Sequence, residues 1–308
     1  MFLNRSYYAD DPDTGVAGQW RLDAAIASIN LDFSRPFLPG RLCDLSSMSF
    51  LGPRERRVFN QVHGVAYARV MILVEELVLQ RLRSQAYAQL GVDHDAVLGL
   101  LRLCDEEVKH QELFRAACIA FDQRAPVDSD ILRGGEAATQ KALGRGPLAL
   151  LMLTTMLEWV VQRHYLECFR HSGHPIDPSF RALMDMHWSE ESEHARLDSR
   201  ELERLGRAAT PAEMAATIDE FVYLCGVLDE VLVQTAEAEV QVATQHLSLY
   251  LEHDLQTHIV EALVRGFRWG FLVCGIEHPV FSRIIGDIAP FAVGRLEVLA
   301  RSYRQVPG

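Results

Sequence analysis

Basic residues are in short supply in this sequence. The chain of 308 residues carries 30 lysines and arginines against 42 aspartates and glutamates, which gives a formal net charge of −12. Nucleic acids and anionic membrane surfaces attract clustered lysine and arginine side chains. The charge balance therefore argues against both partners, and we expect no nucleic-acid binding and no membrane association.

Paired cysteine motifs and long apolar runs are also missing. The six cysteines are scattered without a CxxC pair, which favours reduced thiols in a cytosolic protein over a disulfide framework. The first residues, MFLNRSYYADDPDTG, become acidic before an apolar stretch develops, so they do not resemble a signal peptide. No segment is long and charge-free enough to span a bilayer. We expect a cytoplasmic protein.

Alternation with a period of two, which is typical of strands, is equally scarce. From Pro53 onward, apolar residues recur at steps of three and four, which is the periodicity of helices. The pattern predicts helices over residues 54–90, 93–122, 147–171, 179–206, 212–248, 256–275 and 279–305. We therefore expect an all-α fold, a long-helix bundle in a single domain. Its predicted parts are an irregular N-terminal arm (1–52), a helical core (53–206) and additional C-terminal helices (207–308).

Two parts of the chain repeat one pattern. The segment EELVLQR (75–81) aligns with LEWVVQR (157–163), so that Glu76 matches Glu158. Each of these glutamates lies in an otherwise apolar helix, where an unpaired carboxylate would be costly to bury.

A Glu-x-x-His motif follows each of these segments. Glu107 and His110 form the first motif, and Glu191 and His194 form the second. Residues three apart lie on the same face of a helix. Each half of the repeat therefore offers one carboxylate from its first helix, and a carboxylate with an imidazole from its second.

This combination predicts a dinuclear metal site. Four carboxylates bring a charge of −4 into the bundle, and two divalent cations would neutralise it. Oxygen-rich ligands with one imidazole per ion suit iron or manganese in a bundle core. The ligands predicted from the repeat are Glu76, Glu107, His110, Glu158, Glu191 and His194.

Neighbouring acidic residues leave alternatives open. Glu75 could replace Glu76 as the ligand, but the alignment with Glu158 favours Glu76. Asp198, one turn after His194, could orient an imidazole, as a metal-bound histidine usually requires. Three further glutamates fall outside the motif register and are expected to be solvated or hydrogen-bonding neighbours: Glu106, Glu190 and Glu193.

A third histidine distinguishes the second half of the repeat from the first. His187 lies four residues before Glu191 on the same helix face, whereas the first half has Leu103 at the matching position. His187 is therefore either a seventh ligand or a core histidine packed against Trp188.

These motifs resemble the ferritin-like di-iron superfamily. The extended His-x-x-x-Glu-x-x-His form of the last ligand helix resembles the di-iron N-oxygenases, the p-aminobenzoate and arylamine oxygenases that turn aromatic amines into nitro compounds. The upstream LDFSRPFLPGRL and LGPRERRVFNQVHG are also similar to that family, so the resemblance covers roughly residues 30–200 and fades in the C-terminal third. The family pattern falls on Glu76, Glu107, His110, Glu158, His187, Glu191 and His194.

The resemblance implies a ferritin-like four-helix bundle core that holds two iron ions. It implies activation of O₂ through a peroxo-diiron species, which would oxidise an aromatic amine to the hydroxylamine and then to nitroso and nitro products. External electrons must return the iron to the ferrous state, so a reductase or ferredoxin is the expected electron donor. We also expect a homodimer, because two-fold assemblies are the commonest and the C-terminal helices are aromatic.

Other di-iron functions remain alternatives. A desaturase or hydroxylase of an acyl or other lipid-like substrate would suit a pocket lined by Leu, Val and Met. A radical-generating subunit similar to the small subunit of ribonucleotide reductase would need a tyrosine where this chain has Phe114. Iron storage, as in ferritins, is at odds with the chain length.

Tyr67, Arg69 and Tyr165 lie near the ligand helices and are candidate substrate contacts. The remaining histidines, His63 and His164 among them, are expected at the surface or satisfied in the core.

Overall fold

The computed structural model describes residues 20–124, 131–132, 134–170 and 175–305. All regular secondary structure in these ranges is helical, and they contain no β-strand, which confirms the all-α prediction. None of the described helices is both long enough and apolar enough to cross a membrane. All six cysteines are buried with free thiols.

Long helices make up most of the described chain. They are α2 (Pro53–Gln89), α3 (His94–Arg124), α5 (Pro147–His164), α6 (Pro178–Ala208), α7 (Pro211–Leu247) and α8 (His253–Arg268). The shorter helices are α1 (Leu22–Ser28), α4 (Gly135–Leu143), α9 (Cys274–Ile276), α10 (Pro279–Ile288) and α11 (Val293–Arg304). Two π-helical turns, Tyr165–Phe169 and Trp269–Val273, continue α5 and α8.

The helix prediction differs from the structure in several places. The short helices α1 and α4 were not predicted from the apolar periodicity. The helix predicted over 279–305 is in fact two helices, because Pro290 has no amide hydrogen with which to continue α10. Of the predicted arm, residues 1–19 lie outside the described residues, and residues 29–52 form turns without regular secondary structure. The last position of the helix predicted over 147–171 also lies outside the described residues.

Several helix starts follow from local sequence. A proline occupies the first turn of each of α2, α5, α6, α7 and α10, where its missing amide hydrogen costs nothing. Thr210 and Glu213 form a capping box at the start of α7. The Asp177 carboxylate caps α6 by accepting from the Phe180 amide at 2.6 Å, and it also accepts from the Asp32 amide at 2.7 Å. This second bond ties the chain before α2 to the start of α6.

Four helices surround a common interior. α2 packs along α3 and α5 packs along α6, while α2 also contacts α5 and α3 contacts α6. The connection between α2 and α3 is only four residues long, which makes these helices antiparallel neighbours. α7 covers α2 and α5 from outside, and α8 packs on α7. The result is a helical bundle with an interior that α2, α3, α5 and α6 share.

Candidate metal centre

Acidic and imidazole side chains meet in the interior that the four helices share. Among the described residues, two groups have ligand atoms within 4.8 Å of one another, and all their members are buried. The first group comprises Glu75, His110, His187 and Glu191, and the second group comprises Glu107, Glu158, Glu191 and His194. Because Glu191 belongs to both groups, they form one site with two halves.

Glu75 occupies the place that the sequence alignment gave to Glu76. Its Oε1 lies 3.0 Å from Nε2 of His187 in the first group. Glu76 is half-buried outside both groups, and its carboxylate accepts a hydrogen bond from Gln80 at 2.6 Å. A step of one residue turns a helix by about 100°, so only one of the two glutamates can face the interior. The structure therefore brings Glu75 into the candidate site and leaves Glu76 outside it, and metal binding by either residue stays a prediction.

The difference in register between the sequence alignment and the structure has a simple cause. The alignment placed the carboxylate of α2 at the position that matches Glu158 of α5. In the structure, the carboxylate of α2 that faces the interior lies one residue earlier in that alignment. The face of α2 that carries Glu75 also carries the buried Met71, Val78 and Leu82, whereas Ile72, Leu79 and Arg83 flank Glu76 and are less buried. Both faces contain apolar residues, so periodicity alone did not separate them.

The other six predicted residues all lie in the two groups: Glu107, His110, Glu158, His187, Glu191 and His194. For His187, the geometry favours the alternative that it faces the candidate ligands over the alternative that it packs against Trp188. Its Nε2 lies 2.9 Å from Oε1 of Glu191, and its ring contacts those of His110 and Phe114. Trp188 stacks instead on Tyr165, with ring centroids 4.3 Å apart. Metal binding by these residues stays a prediction.

The two oxygens of Glu191 face different halves of the site. Oε1 lies 2.6 Å from Nδ1 of His110 and 2.9 Å from Nε2 of His187, in the first group. Oε2 lies 3.1 Å from Nδ1 of His194, in the second group. A carboxylate that presents one oxygen to each half is arranged as a bridge between two ions.

Atoms that face the interior of the site lack hydrogen bonds. Among the described residues, both carboxylate oxygens of Glu107 and Glu191 and Nδ1 of both His110 and His194 are buried without an acceptable hydrogen-bond partner. Unsatisfied buried polar atoms are costly and rare. Here oxygen and nitrogen donors converge at 2.6–3.1 Å without hydrogen-bond geometry. A pair of divalent cations would satisfy these atoms, so the donor set fits such ions.

Two further glutamates hold the outer nitrogens of the motif histidines. Glu106 Oε2 lies 2.8 Å from Nε2 of His194, and Glu190 Oε2 lies 3.0 Å from Nε2 of His110. The arrangement is reciprocal, because each helix supplies the carboxylate for the histidine of the other helix. When Nε2 carries the hydrogen, the lone pair of Nδ1 points into the site and is available to a metal ion. The motif is thus Glu-Glu-x-x-His in both halves, and the repeated first Glu was the sequence signal that marked this role.

When no metal is bound, the carboxyl groups of the site differ in how readily they ionise. Burial and the neighbouring Glu107 raise the pKa of Glu75 well above its usual value. Burial opposes ionisation of Glu107 too, but the neighbouring Glu75 carboxyl and the His194 imidazole together outweigh burial and lower the pKa of Glu107. Burial together with Glu191 likewise raises the pKa of Glu158. Two of the carboxyl groups therefore carry protons in positions that cations would take.

The three histidines of the site differ in protonation. Burial disfavours the imidazolium form, but Glu191 and Glu190 outweigh burial and raise the pKa of His110 to about 9. At His194, Glu191 and Glu107 likewise outweigh burial, so the pKa of His194 lies well above its usual value. At His187 burial prevails, and its pKa is lowered. Among the three imidazoles of the site, the two motif histidines are therefore the ones whose surroundings favour the imidazolium form.

Asp198 has a different role from the one predicted. Instead of bonding to an imidazole, it forms a buried ion pair with Arg81, whose Nη2 lies 2.7 Å and 2.8 Å from the two carboxylate oxygens. The hydroxyl of Thr154 is also within 3.4 Å of Asp198. This ion pair joins α2 to α6 on the second-group side of the bundle.

Trp20 closes one side of the site and was not anticipated. Its ring stacks on that of His110, with centroids 6.3 Å apart, and its indole nitrogen donates to the Met186 carbonyl at 3.0 Å. The Lys109 ammonium lies 4.2 Å from the centre of the Trp20 ring. No local motif marks this residue, because its role depends on how the chain before α2 folds over α3 and α6.

The predicted substrate contacts do not line the site. Tyr67 is fully buried and hydrogen-bonded to His164, and Arg69 pairs with Asp122. Tyr165 bonds to Asp185 near the surface. His63 and His164 are satisfied in the core, as predicted: His63 bonds to Glu239 at 2.7 Å, and His164 bonds to Tyr67 and to the Gly270 carbonyl.

Two comparisons with known proteins found no match. No protein-family model matches the chain, and no curated protein matches it either. Inferences about its function therefore rest on the site and on the motifs that form it.

Removing an outer carboxylate should weaken metal binding without dismantling the site. We expect Glu106→Ala and Glu190→Ala each to lower metal affinity about 10- to 100-fold, because the facing imidazole loses the partner that fixes its orientation. Titration of the metal-free protein with Fe(II) under anaerobic conditions measures this. Glu193→Ala is the matched control, since Glu193 is exposed on the same helix as Glu190. Unchanged affinity in both variants would show that these carboxylates do not support ligands.

Proposed function

We propose that the chain is a non-haem di-iron oxygenase that N-oxygenates an aromatic amine, built on a ferritin-like four-helix bundle core. The observation that carries the metal part is the position of Glu191 between two buried groups of donors. Together the groups contain four carboxylates and three imidazoles, and the carboxylates balance the charge of two divalent cations. The amine as substrate is supported by the sequence motif with the third histidine.

Iron bound at this site would supply dioxygen activation and electron transfer, which side chains alone cannot provide. The chain's own residues would hold the ions and set their surroundings. Glu75, His110, His187 and Glu191 would hold one ion, and Glu107, Glu158, Glu191 and His194 would hold the other. The outer carboxylates of Glu106 and Glu190 would retain the Nε2 protons of the motif histidines. Phe114 and Trp20 would keep water away from the first group.

The two halves of the site are chemically unequal. The first group has two imidazoles and two carboxylates, whereas the second has one imidazole and three carboxylates. An imidazole is a neutral donor, so an ion in the first group would be less stabilised in its higher oxidation state than an ion in the second. His187 is therefore the residue through which this site would differ in reactivity from a site with one imidazole per ion.

An oxygenase of this kind needs electrons from outside and a soluble substrate. A reductase or ferredoxin is the proposed electron donor, and a small aromatic amine is the proposed substrate. A homodimer is the proposed assembly, and cytoplasmic location is the proposed setting.

Product analysis tests this function. Iron-loaded, chemically reduced protein should convert arylamines such as aminobenzoates to N-oxygenated products when O₂ is admitted, with mass-spectrometric detection of incorporated ¹⁸O. His187→Leu is the informative variant because Leu103 is the matching residue in the first half of the repeat. It should retain the fold and bound iron while losing N-oxygenation. Turnover of fatty acids with no reaction of any amine would favour the desaturase or hydroxylase alternative instead.

A further inference from the structure

A second buried polar cluster lies outside the metal centre. It contains Tyr67 of α2, His164 at the end of α5, Trp269 and Gly270 of the π-helical turn after α8, and Cys274 at the start of α9. Tyr67 and His164 are 1% and 0% exposed. Both π-helical turns in the described part of the chain border this cluster, since one begins directly after His164 and the other contains Trp269 and Gly270. π-helical turns within helices are rare and frequently mark functional positions.

Hydrogen bonds determine which nitrogen of His164 carries a hydrogen and where the Tyr67 hydroxyl points. Nε2 of His164 lies 2.8 Å from the Gly270 carbonyl oxygen, which can only accept, so Nε2 carries the hydrogen. Nδ1 of the neutral ring is then an acceptor, and the Tyr67 hydroxyl donates to it at 2.6 Å. The Cys274 thiol also donates to the Gly270 carbonyl, at 2.7 Å.

Both members of the tyrosine–histidine pair are neutral at neutral pH. Burial lowers the pKa of His164 to about 3. Burial also raises the pKa of Tyr67 well above its usual value. The pair therefore holds one transferable proton, on the Tyr67 hydroxyl, which is hydrogen-bonded to the unprotonated Nδ1 of His164. Loss of an electron makes a phenol strongly acidic, so this acceptor is placed to take the proton at that moment.

The backbone at Gly270 packs directly on the His164 ring. A β-carbon at this position would lie 3.4 Å from both Cε1 and Nε2 of His164, in ordinary van der Waals contact. The π-helical turn brings the Gly270 carbonyl within reach of the imidazole.

The pair lies between the metal centre and the protein surface. Tyr67, Met71 and Glu75 follow one another at four-residue steps on one face of α2, which puts Tyr67 about 12 Å along the helix axis from Glu75. On the other side, the Trp269 ring stacks on His164 with centroids 5.8 Å apart. Trp269 is half-buried, and the guanidinium of the surface residue Arg41 lies 4.3 Å from its ring centre.

We propose that Tyr67 is a redox-active tyrosine, that His164 is its proton acceptor, and that Trp269 connects the pair to the surface. On oxidation, one electron leaves Tyr67, its O–H bond breaks, and an N–H bond forms at Nδ1 of His164. The products are a neutral phenoxyl radical and an imidazolium. One electron from the Trp269 side returns the pair to its starting state, and the proton moves back to Tyr67.

The electron acceptor is a one-electron oxidant, and the oxidised metal pair of the proposed function is the acceptor inside the protein. That connection rests on the proposed function, whereas the chemistry of the pair does not. An oxidant added from outside therefore tests the pair without relying on bound iron.

The experiment is flash photo-oxidation of the full-length, metal-free protein with a ruthenium tris-bipyridine complex and a sacrificial electron acceptor. The radical is followed by electron paramagnetic resonance in protein with ring-deuterated tyrosine. We expect a long-lived tyrosyl signal that narrows on deuteration and forms more slowly in D₂O. Tyr67→Phe, which removes one oxygen atom, should abolish this signal. Tyr165→Phe is the matched control and should retain it, because Tyr165 stacks on an aromatic ring and bonds to a carboxylate rather than to histidine.

Two further variants complete the test. His164→Gln keeps Tyr67 but removes the proton acceptor, and it should abolish the long-lived signal and the D₂O effect even if Tyr67→Phe does not fold. Trp269→Phe should lower the yield of the Tyr67 radical, because the oxidant in solution reaches the pair through Trp269. A signal that persists unchanged in Tyr67→Phe, or in His164→Gln with the same D₂O effect, would overturn the proposal. An unchanged yield in Trp269→Phe would remove Trp269 from the route.

Discussion

Glu75→Gln should weaken the binding of one of two metal ions by more than about 100-fold, beyond the effect of losing an outer hydrogen-bonding partner. Glu76→Gln should leave both affinities unchanged. The reason is that Glu75 faces His187 and the first group, whereas Glu76 bonds only to Gln80 on the outside of the bundle. Glutamine resembles the protonated form that Glu75 adopts without metal, so the metal-free fold should survive in both variants.

Isothermal titration of each metal-free variant with Fe(II) or Mn(II) measures the two affinities, and circular dichroism checks the fold. Glu76→Gln is the control for Glu75→Gln, because it makes the same substitution at the next residue of the same helix turn. Weakened binding in Glu76→Gln with normal binding in Glu75→Gln would contradict the assignment and restore the register that the sequence alignment suggested.

The free energy of unfolding of the metal-free protein should fall by at least about 1 kcal/mol between pH 7 and pH 8, through His110 alone. Histidines of the unfolded chain lose their protons near pH 6.5. In the folded protein the pKa of His110 is about 9 and that of His194 is also raised. In this window the folded state therefore binds more protons than the unfolded state. Each such proton lowers stability by about 1.4 kcal/mol per pH unit as the pH rises.

Metal ions should remove this pH dependence. They require deprotonated ligands, so binding expels the protons that the carboxyl groups and imidazoles hold. Urea denaturation of chelator-treated and metal-loaded protein at both pH values makes the comparison. The loaded protein should be more stable and show a much smaller loss between pH 7 and pH 8. A metal-free protein whose stability is constant or rises over this window would contradict the protonation states described above.

The fold class was predictable because long helices have a strong periodic signal. The apolar repeats located α2, α3, α6 and α7 to within about two residues, and the helix predicted over 147–171 covers α5 together with the π-helical turn that continues it. Short elements carried too little signal, as α1 and α4 show. The break at Pro290 could have been predicted from the proline alone, but the apolar pattern on both sides concealed it.

The residues of the candidate site that belong to the internal repeat were largely predictable from the sequence. Six of the seven predicted residues lie in the two groups because the Glu-x-x-His spacing fixes a helix face. The choice between Glu75 and Glu76 depended on the rotation of α2 within the bundle, which packing determines. The partners of His110 and His194 come from the opposite helix, and Trp20 comes from the chain before α2. Such contacts depend on tertiary structure, and no local spacing encodes them.

Metal content tests the central claim most directly. The protein should be purified from iron-replete cells, quantified by amino-acid analysis and assayed by inductively coupled plasma mass spectrometry, alongside Glu191→Ala and the exposed control Glu193→Ala. The two groups that share Glu191 predict two iron ions per chain in the parent and the control, and a loss of both ions in Glu191→Ala. One ion or none in the iron-replete parent, or an unchanged content in Glu191→Ala, would contradict a dinuclear centre at this site.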